Sequence, residues 1–508
     1  MDNRFLPTSK KEVEALGWDY IDVILFTGDA YVDHPSFGVP LLGRVLEARG
    51  YRVAIVPQPN WRDDLRDFRK LGRPRLYFGV SAGAMDSMVN HYTAAKRLRS
   101  DDAYTPDGRP GARPDRATIV YTKILKQLWP DVPVVIGGIE ASLRRERHYD
   151  YWDDCMKPPI LEESGADFLV AGMGEEPMTR VARAIENGTA GTLPRILEGP
   201  LLTTEELDWI YELPFTRLPH PRYKGKRIPA YDMIKFSITT HRGCFGGCNF
   251  CAITAHQGKQ IQSRSEASIL REVVALTKHP EFKGTITDLG APSANMYRMG
   301  GIDKELCAKC KRPTCLFPNR CRNLNHDHTP LLQLYEKVLK VPGVKHVFVS
   351  SGIRYDLFLD ENGFLSEDGS RYFEQLVTRH TSGRLKVAPE HTEDVVLQAM
   401  GKPGFKLFER LEKEFYRLVR QRGLKYEIIP YFISAHPGCT MKEMEALSKH
   451  PALRGIRTEQ VQDFTPTPMT VSTEMFHTGR DPRTGKKIFV ERDIAKKQRQ
   501  KSFFFKKR

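Results

Sequence analysis

The chain has 508 residues, of which 40% are hydrophobic and 28% are charged. These values are typical of a folded globular protein, and the length predicts two or three domains. The longest apolar runs, such as Val132–Ile136, are far shorter than the ~18 residues that span a bilayer. They predict strands and no membrane segment. Residues 1–18 lack the apolar stretch of a secretory signal, so we expect a cytoplasmic protein.

The formal net charge of +15 is concentrated at the C-terminal end. Residues 479–508 contain twelve Lys or Arg and three Asp or Glu, so this segment alone carries +9. A run of this kind is typical of a solvated end, and we predict a basic, disordered tail over residues 479–508. Weak contact of the tail with nucleic-acid phosphates is a second interpretation.

Residues 1–200 alternate between short apolar runs and amphipathic stretches. The runs predict strands at Tyr20–Phe26, Tyr51–Val56, Leu76–Val80, Val132–Ile136 and Phe168–Ala171. Strands that alternate with helices predict an α/β domain with a doubly wound parallel sheet. Glycines follow several of these strands, where open sheets bind ligands, although tight turns without a ligand explain them equally well.

Residues 201–229 are rich in proline and in basic residues and are predicted to form a linker. A second alternating series fills residues 230–478. Its six strands are predicted at Phe236–Thr240, Thr285–Leu289, His346–Ser350, Leu385–Ala388, Glu427–Ile433 and Gln460–Phe464. Six consecutive strand–helix units predict a partial (β/α)6 barrel, with its chemistry in the loops that follow the strands.

Seven of the nine cysteines lie between residues 244 and 321. The first group follows the first barrel strand in a glycine-rich loop, and its members are Cys244, Cys248 and Cys251. Three thiolates within eight residues require a backbone that curls around one object, and thiolates suit an iron–sulfur cluster or zinc. Three protein ligands leave one metal position open, which favours catalysis. A zinc site completed by His241 or His256 is the alternative.

The second group lies in a predicted insertion, residues 300–325, between the second and third barrel strands. Its four members are Cys307, Cys310, Cys315 and Cys321. Four thiolates so close in sequence predict a second metal centre, either an auxiliary iron–sulfur cluster or a zinc site with four cysteine ligands. Cys155 and Cys439 lie outside both groups and are interpreted as small buried residues.

The first cysteine group resembles that of the radical S-adenosylmethionine (SAM) superfamily. The C-x3-C-x2-C spacing, Phe250 before the last cysteine and the position after the first barrel strand all match. Further stretches resemble YgiQ-type radical SAM proteins: Arg4–Ser9, Thr27–His34, Gly137–Leu143, Ala388–Thr392, Pro430–Gly438 and Gln462–Met469. The resemblance therefore runs from residue 4 to about residue 480.

The resemblance implies a radical SAM barrel that holds a [4Fe–4S] cluster on Cys244, Cys248 and Cys251. SAM would chelate the fourth iron and be cleaved to methionine and a 5′-deoxyadenosyl radical. A reductant such as flavodoxin or ferredoxin would supply the electron, and the substrate is not specified. An RNA-modifying methyl- or methylthio-type transferase is one alternative, and a non-enzymatic iron–sulfur redox or sensor protein is another.

Polar residues after the barrel strands are the expected contacts of SAM. Many members of the superfamily carry Gly-Gly-Glu after the second strand, whereas this chain has Asp288–Ser293, which puts the contact with the methionine amine in doubt. Arg354 and Asp356 follow the third strand, and Glu390 and His391 follow the fourth. They are predicted to contact SAM (Arg354 and Glu390 foremost) or substrate, or else to form salt bridges in the barrel mouth.

Residues 20–180 resemble the cobalamin-binding-type domain that precedes many radical SAM barrels. The cobalt-ligating D-x-H-x-x-G motif is not matched. Asp33 and Gly38 have its outer spacing, but His34 stands one position early. We therefore expect a domain that keeps this fold without cobalamin.

Overall fold

The computed structural model describes residues 4–456 and 459–505, which form two compact units. The first unit comprises residues 4–202, 206–235 and 467–469, and the second comprises the other described residues. No helix in either described range is long and apolar enough to cross a membrane.

The first unit has eight strands: β1 (Val23–Thr27), β2 (Val53–Pro57), β3 (Tyr77–Ser81), β4 (Val134–Gly137), β5 (His148–Asp150), β6 (Cys155–Lys157), β7 (Phe168–Ala171) and β8 (Ile196–Glu198). Six of them form a parallel sheet with the order β2-β1-β3-β4-β7-β8, and β5 and β6 form a separate hairpin. Apart from Thr27 and Ser81 at the ends of β1 and β3, the inner strands consist of apolar residues and glycine, as expected for a sheet covered on both faces. The predicted doubly wound parallel sheet is confirmed.

Alternate residues of each strand enter two different cores. Leu25 and Ile55 pack on one face of the sheet, and Phe26 and Val56 pack on the other, because successive side chains of a strand point to opposite faces. The helices of this unit are α1 (Lys10–Ala15), α2 (Gly38–Ala48), α3 (Arg66–Arg69), α4 (Ser87–His91), α5 (Ala117–Leu128), α6 (Gly138–Leu143), α7 (Ile160–Ser164), α8 (Glu175–Glu186), α9 (Thr204–Tyr211) and α10 (Pro229–Ile234).

Residues 201–229 are folded, so the predicted linker is wrong. Leu207 and Ile210 of α9 are buried and pack against Leu41 and Val45 of α2. The hydroxyl of Tyr223 accepts a hydrogen bond from a backbone N–H of the sheet domain at 3.1 Å. The prolines shorten the helices of this segment, but the apolar residues between them still pack into a hydrophobic core.

The second unit contains the strands of the predicted barrel. They and the shorter strands are β9 (Ser237–Thr239), β10 (His241–Arg242), β11 (Gln262–Ser263), β12 (Thr285–Ile286), β13 (Asp288–Gly290), β14 (Gly300–Gly301), β15 (Leu324–Asn325), β16 (His346–Val347), β17 (Leu359–Asp360), β18 (Gly363–Phe364), β19 (Arg384–Glu390), β20 (Glu427–Ser434) and β21 (Gln460–Asp463). Parallel pairing joins β9 to β13, β12 to β16, and β19 to β20 to β21. All six predicted barrel strands are present, and the α/β fold class is confirmed.

Ten helices among the described residues belong to this barrel unit and its loops. They are α11 (Ile253–Gln257), α12 (Glu266–Leu276), α13 (Lys304–Ala308), α14 (Thr329–Leu339), α15 (Glu367–Arg379), α16 (Asp394–Met400), α17 (Lys406–Gln421), α18 (Met441–Ser448), α19 (Val471–Thr478) and α20 (Ile494–Ser502). In α17 the buried residues Phe408, Leu411, Phe415 and Leu418 recur at helical spacing and face the core. This core is shared with the barrel strands.

The C-terminal segment is folded through residue 505, so the predicted disordered tail is wrong for the described residues. Helix α20 buries Lys497 and Gln500. Phe503 and Phe504 pack against the barrel core. Arg492 donates hydrogen bonds to two carbonyl oxygens at the end of α19 at 2.7 and 2.8 Å, where a cation is favourable. Cations that looked solvated in the sequence thus serve contacts inside the unit.

Gln500 joins α20 to the barrel, so its replacement is expected to destabilise the second unit. Its side chain accepts a hydrogen bond from the Ala435 N–H at 2.9 Å and donates one to the Cys439 carbonyl at 3.2 Å. Gln500→Leu should lower the free energy of unfolding by about 1–3 kcal/mol, because it leaves buried backbone groups unpaired. The exposed neighbour Arg499→Leu is the matched control. Equal urea midpoints for the two variants would contradict this account.

Candidate active site

The cysteine loop follows β9 and is closed by the antiparallel pair β10–β11. Its three glycines stand where a side chain has no room. A Cβ on Gly243 would lie 2.1 Å from a backbone oxygen, one on Gly247 would lie 2.5 Å from Thr314 Cβ, and one on Gly246 would lie 2.7 Å from Arg354 Nη1. Gly243 and Gly247 also have positive φ angles of 89° and 58°. Gly243 and Gly247 therefore cannot be replaced without strain, and at Gly246 a side chain would displace the Arg354 guanidinium.

Asn249, between the second and third cysteines, anchors the loop to the barrel. Its backbone N–H donates to the Met400 carbonyl at 2.9 Å, and its side-chain amide donates to the Ala399 carbonyl at 2.8 Å. Its own carbonyl accepts the N–H of Ser472 at 2.9 Å. The end of α16 and the start of α19 therefore fix the middle of the loop.

The three thiols of the loop lie close to one another and are not in disulfides. Cys244 Sγ is 3.4 Å from the hydroxyl of Ser293, and Cys248 Sγ accepts a hydrogen bond from Arg354 Nη1 at 3.2 Å. Burial raises the pKa of Cys251 to about 12, and the thiols of Cys248 and Cys244 act in the same direction. Thiols buried in this way become ligands only when a metal offsets their charge.

The donor set consists of thiols, which suit an iron–sulfur cluster or zinc. Within residues 4–456 and 459–505, no three Cys, His, Asp or Glu side chains are already grouped as a metal-ion site. His241 is engaged elsewhere, with Nδ1 2.8 Å from the Thr240 hydroxyl and Nε2 3.1 Å from the Ser293 carbonyl. The zinc alternative that uses His241 therefore lacks its fourth ligand.

Arg354 connects the cysteine loop to the loop after β16. Its guanidinium forms two hydrogen bonds with Asp356, at 2.9 and 2.6 Å, in addition to the one with Cys248. Burial disfavours the cation, but the Asp356 carboxylate and the Cys248 thiol outweigh burial and raise the pKa of Arg354. Asn295 fixes the backbone of Arg354 through two hydrogen bonds of 2.8 and 2.9 Å. A permanent positive charge thus lies against one cysteine sulfur.

Glu390 lies at the end of β19, where the pairing with β20 shifts register. Its φ angle of 70° is unusual for a residue with a side chain, and such strain is concentrated at functional sites. Burial raises the pKa of Glu390, whereas Lys402, whose Nζ is 4.0 Å away, and Arg354 lower it. The sequence offered no local signal for Lys402. Glu390 also adds to the electrostatic environment of Cys251.

The predicted contact His391 serves the scaffold, and so does Asp288 of the stretch that stands in place of Gly-Gly-Glu. His391 is buried beside Cys439, with Nε2 3.5 Å from the sulfur, and burial lowers the pKa of His391 to about 3. Asp288 accepts the N–H groups of Ser350 and Ser351 at 2.8 and 3.1 Å and thereby fixes the next loop. Cys439 is buried as expected, whereas Cys155 is exposed because it lies on the short β5–β6 hairpin.

The fold is shared with solved structures of TsrM, a radical SAM methyltransferase from Kitasatospora setae. The structure with tryptophan substrate and a SAM analogue bound has a TM-score of 0.52 at 16% identity, over 87% of this chain and 72% of that one. The structure with cobalamin and a [4Fe–4S] cluster bound has a TM-score of 0.53 at 16% identity, over 89% and 74%.

The expectation that this fold does without cobalamin is wrong. It rested on the unmatched D-x-H-x-x-G motif, yet TsrM has the same fold and is solved with cobalamin bound. The motif supplies one cobalt ligand and not the whole binding surface, so its absence did not exclude the cofactor.

Sequence comparison identifies the family. The family model described as Radical SAM N-terminal matches residues 5–200 and 196–237, and a domain of unknown function, DUF3362, matches residues 459–505. The chain is 51% identical to a UPF0313 protein of Bacteroides thetaiotaomicron, over 99% of this chain and 94% of that relative. It is 52% identical to one of Porphyromonas gingivalis, over 99% and 90%. The chain belongs to the UPF0313 family and is a radical SAM enzyme.

Proposed function

We propose that Cys244, Cys248 and Cys251 hold the [4Fe–4S] cluster with which this enzyme cleaves SAM and generates a 5′-deoxyadenosyl radical. The observation that carries the proposal is the convergence of three thiols on one glycine-built loop with Arg354 against it. When bound and reduced, the cluster supplies the electron for the cleavage. The chain's own residues hold the loop, set the charge around it and exclude water.

We propose different roles for the two predicted SAM contacts. Arg354 is engaged by Asp356 and Cys248, so its role is to set the electrostatics of the cluster. Glu390 is buried beside Lys402 and near the cysteine loop. Its carboxylate is therefore the better candidate to accept a hydrogen bond from the amino group or the ribose hydroxyls of SAM.

Cys248→Ala should abolish formation of 5′-deoxyadenosine from SAM in dithionite-reduced, anaerobically reconstituted protein. The variant removes one of three protein ligands, and the remaining two cannot hold the cluster in the same state. Cys155→Ala is the matched control, because this exposed thiol belongs to the other unit. Retained activity in the Cys248 variant, or equal loss in both, would contradict the assignment.

The Arg354–Asp356 pair should set the reduction potential of the cluster with opposite signs. Arg354→Gln removes a cation from the sulfur of Cys248 and should shift the potential negative by on the order of tens of millivolts, because nearby charge and hydrogen bonds tune such clusters. Asp356→Asn leaves the cation uncompensated and should shift the potential positive. Redox titration followed by electron paramagnetic resonance measures both shifts. A shift of the same sign in both variants would refute this role.

We further infer that the first unit binds cobalamin, with the fold shared with TsrM as the support. The loop after β1 is not expected to ligate cobalt. Asp33 is paired with Arg44 at 2.6 and 3.1 Å, and His34 Nδ1 accepts the N–H of Ser36 at 3.1 Å. The cofactor would therefore be held by other contacts.

Purified protein incubated with hydroxocobalamin should retain about one cobalamin per chain after gel filtration, since the fold provides one such domain. A variant with Cys244, Cys248 and Cys251 all changed to Ala should retain the same amount, because these cysteines belong to the second unit. Ultraviolet–visible absorbance of the protein fraction gives the ratio. A cobalamin-free protein fraction from the wild-type chain would contradict the inference.

We infer a cytoplasmic location and a flavodoxin or ferredoxin as the electron donor. All nine cysteines are free of disulfides in the structure, which fits a reducing compartment. Small redox proteins of that compartment supply single electrons at low potential.

A further inference from the structure

The insertion between β13 and β16 is a closed loop that is built around its cysteines. Its base is the antiparallel pair β14–β15. Asn323 joins the two arms, since its side-chain oxygen accepts the Asp303 N–H at 2.8 Å and its amide donates to the Asp303 carbonyl at 2.9 Å. The same amide lies 3.3 Å from Cys307 Sγ. A Cβ on Gly301 would lie 2.0 Å from that sulfur, so the backbone here is shaped to the thiol.

The four thiols of the insertion lie within the one short loop that the pair β14–β15 closes. None of them is in a disulfide, and each is half-buried. The backbone brings them together in pairs, because the N–H of Cys310 donates to the Cys307 carbonyl at 3.1 Å and that of Cys321 donates to the Cys315 carbonyl at 2.8 Å.

Burial of apolar side chains does not by itself account for the conformation of the insertion. Leu316 and Leu324 belong to a small core that also contains Phe245 and Met299, and Cys315 and Cys321 pack against its edge. Cys307 and Cys310 are not part of this core. Most of the other residues between 302 and 323 are exposed or half-buried and polar. A segment of this composition buries too little apolar surface to bring four thiols together by itself, whereas thiolate ligation of a metal supplies that free energy.

The insertion is also hydrogen-bonded to the catalytic cysteine loop. The N–H of Cys315 donates to the Phe245 carbonyl at 3.0 Å. The hydroxyl of Thr314 lies 3.1 Å from the Phe245 carbonyl and 2.8 Å from the Gly246 carbonyl, to which it donates. Both acceptors lie between the first two cysteines of the catalytic loop. One member of the second cysteine group is therefore hydrogen-bonded directly to the loop that carries the first.

We propose that Cys307, Cys310, Cys315 and Cys321 bind a second, thiolate-ligated metal centre, and that this centre holds the catalytic cysteine loop in place through Thr314 and Cys315. The ligand chemistry is shared by a [4Fe–4S] cluster and by zinc. The second half of the proposal rests on the proposed function of the catalytic loop, whereas the first half does not.

The metal content of two matched variants tests the first half. One variant has Cys244, Cys248 and Cys251 changed to Ala, and the other has Cys307 and Cys310 changed to Ala. Each is reconstituted anaerobically with iron and sulfide or with zinc, desalted, and analysed for metal and sulfide. The first variant should keep about four irons or about one zinc per chain, and the second should lose that metal and keep the iron of the catalytic loop.

A wild-type chain with about four irons, no zinc and four alkylatable thiols in the insertion would overturn the second centre. So would a folded first variant that takes up neither metal. If replacing the catalytic cysteines removes all of the iron and replacing Cys307 and Cys310 removes none, the second centre is refuted and the proposed function stands. A wild-type chain whose catalytic loop holds no iron, while the first variant still binds metal, would instead refute the proposed function alone.

The second half of the proposal, that the insertion holds the catalytic loop in place, is tested by the rate at which a chelator removes iron from the catalytic cluster. Thr314→Val removes the hydroxyl donor with little change in shape, and Lys311→Ala, at an exposed position of the same insertion, is the control. Thr314→Val and the Cys307/Cys310 variant should lose iron about three- to tenfold faster than wild type, as the loss of one hydrogen bond predicts. Lys311→Ala should match wild type. Equal rates in all four proteins would overturn the coupling.

Discussion

The site depends on one constraint, which is the close approach of neighbouring groups to a loop that must present three thiols at once. Gly243, Gly246 and Gly247 each stand where a Cβ would collide with backbone or side-chain atoms within 2.1 to 2.7 Å. These neighbours come from the return of the cysteine loop itself, from the insertion and from the loop after β16. Asn249 secures the middle of the loop. The rest of the second unit serves this arrangement, because a loop held on every side keeps the thiols together.

Much of the fold was predictable from periodicity. Buried strands of a parallel sheet are continuous apolar runs, so the first sheet and the six barrel strands were visible in the sequence. The linker and the tail were mistaken because composition reports local preference only. Gln500 is buried through hydrogen bonds to the backbone of Ala435 and Cys439. No local pattern reveals that a basic helix has a partner more than sixty residues away.

The candidate site shows the same division between local and distant signals. Cysteine spacing is local, and it indicated both groups. The contact between Arg354 and Cys248 joins residues 106 positions apart, so the sequence named Arg354 without its role. The expectation of a domain without cobalamin was wrong for a related reason, because the absence of one motif was taken as the absence of the whole binding site. The link between the second cysteine group and the catalytic loop has no local signal, because it depends on the hydrogen bond from Thr314 to the Gly246 carbonyl.

The central claim is that the catalytic loop holds a cluster with one iron left open for SAM. Electron paramagnetic resonance of the reduced, reconstituted Cys307/Cys310→Ala variant, with and without SAM, tests it most directly, because that variant lacks two of the four cysteines of the second group and should hold iron only on the catalytic loop. We expect a reduced [4Fe–4S] signal whose g values shift when SAM is added, because ligation of the open iron alters the cluster. A reduced signal that SAM leaves unchanged would contradict the account.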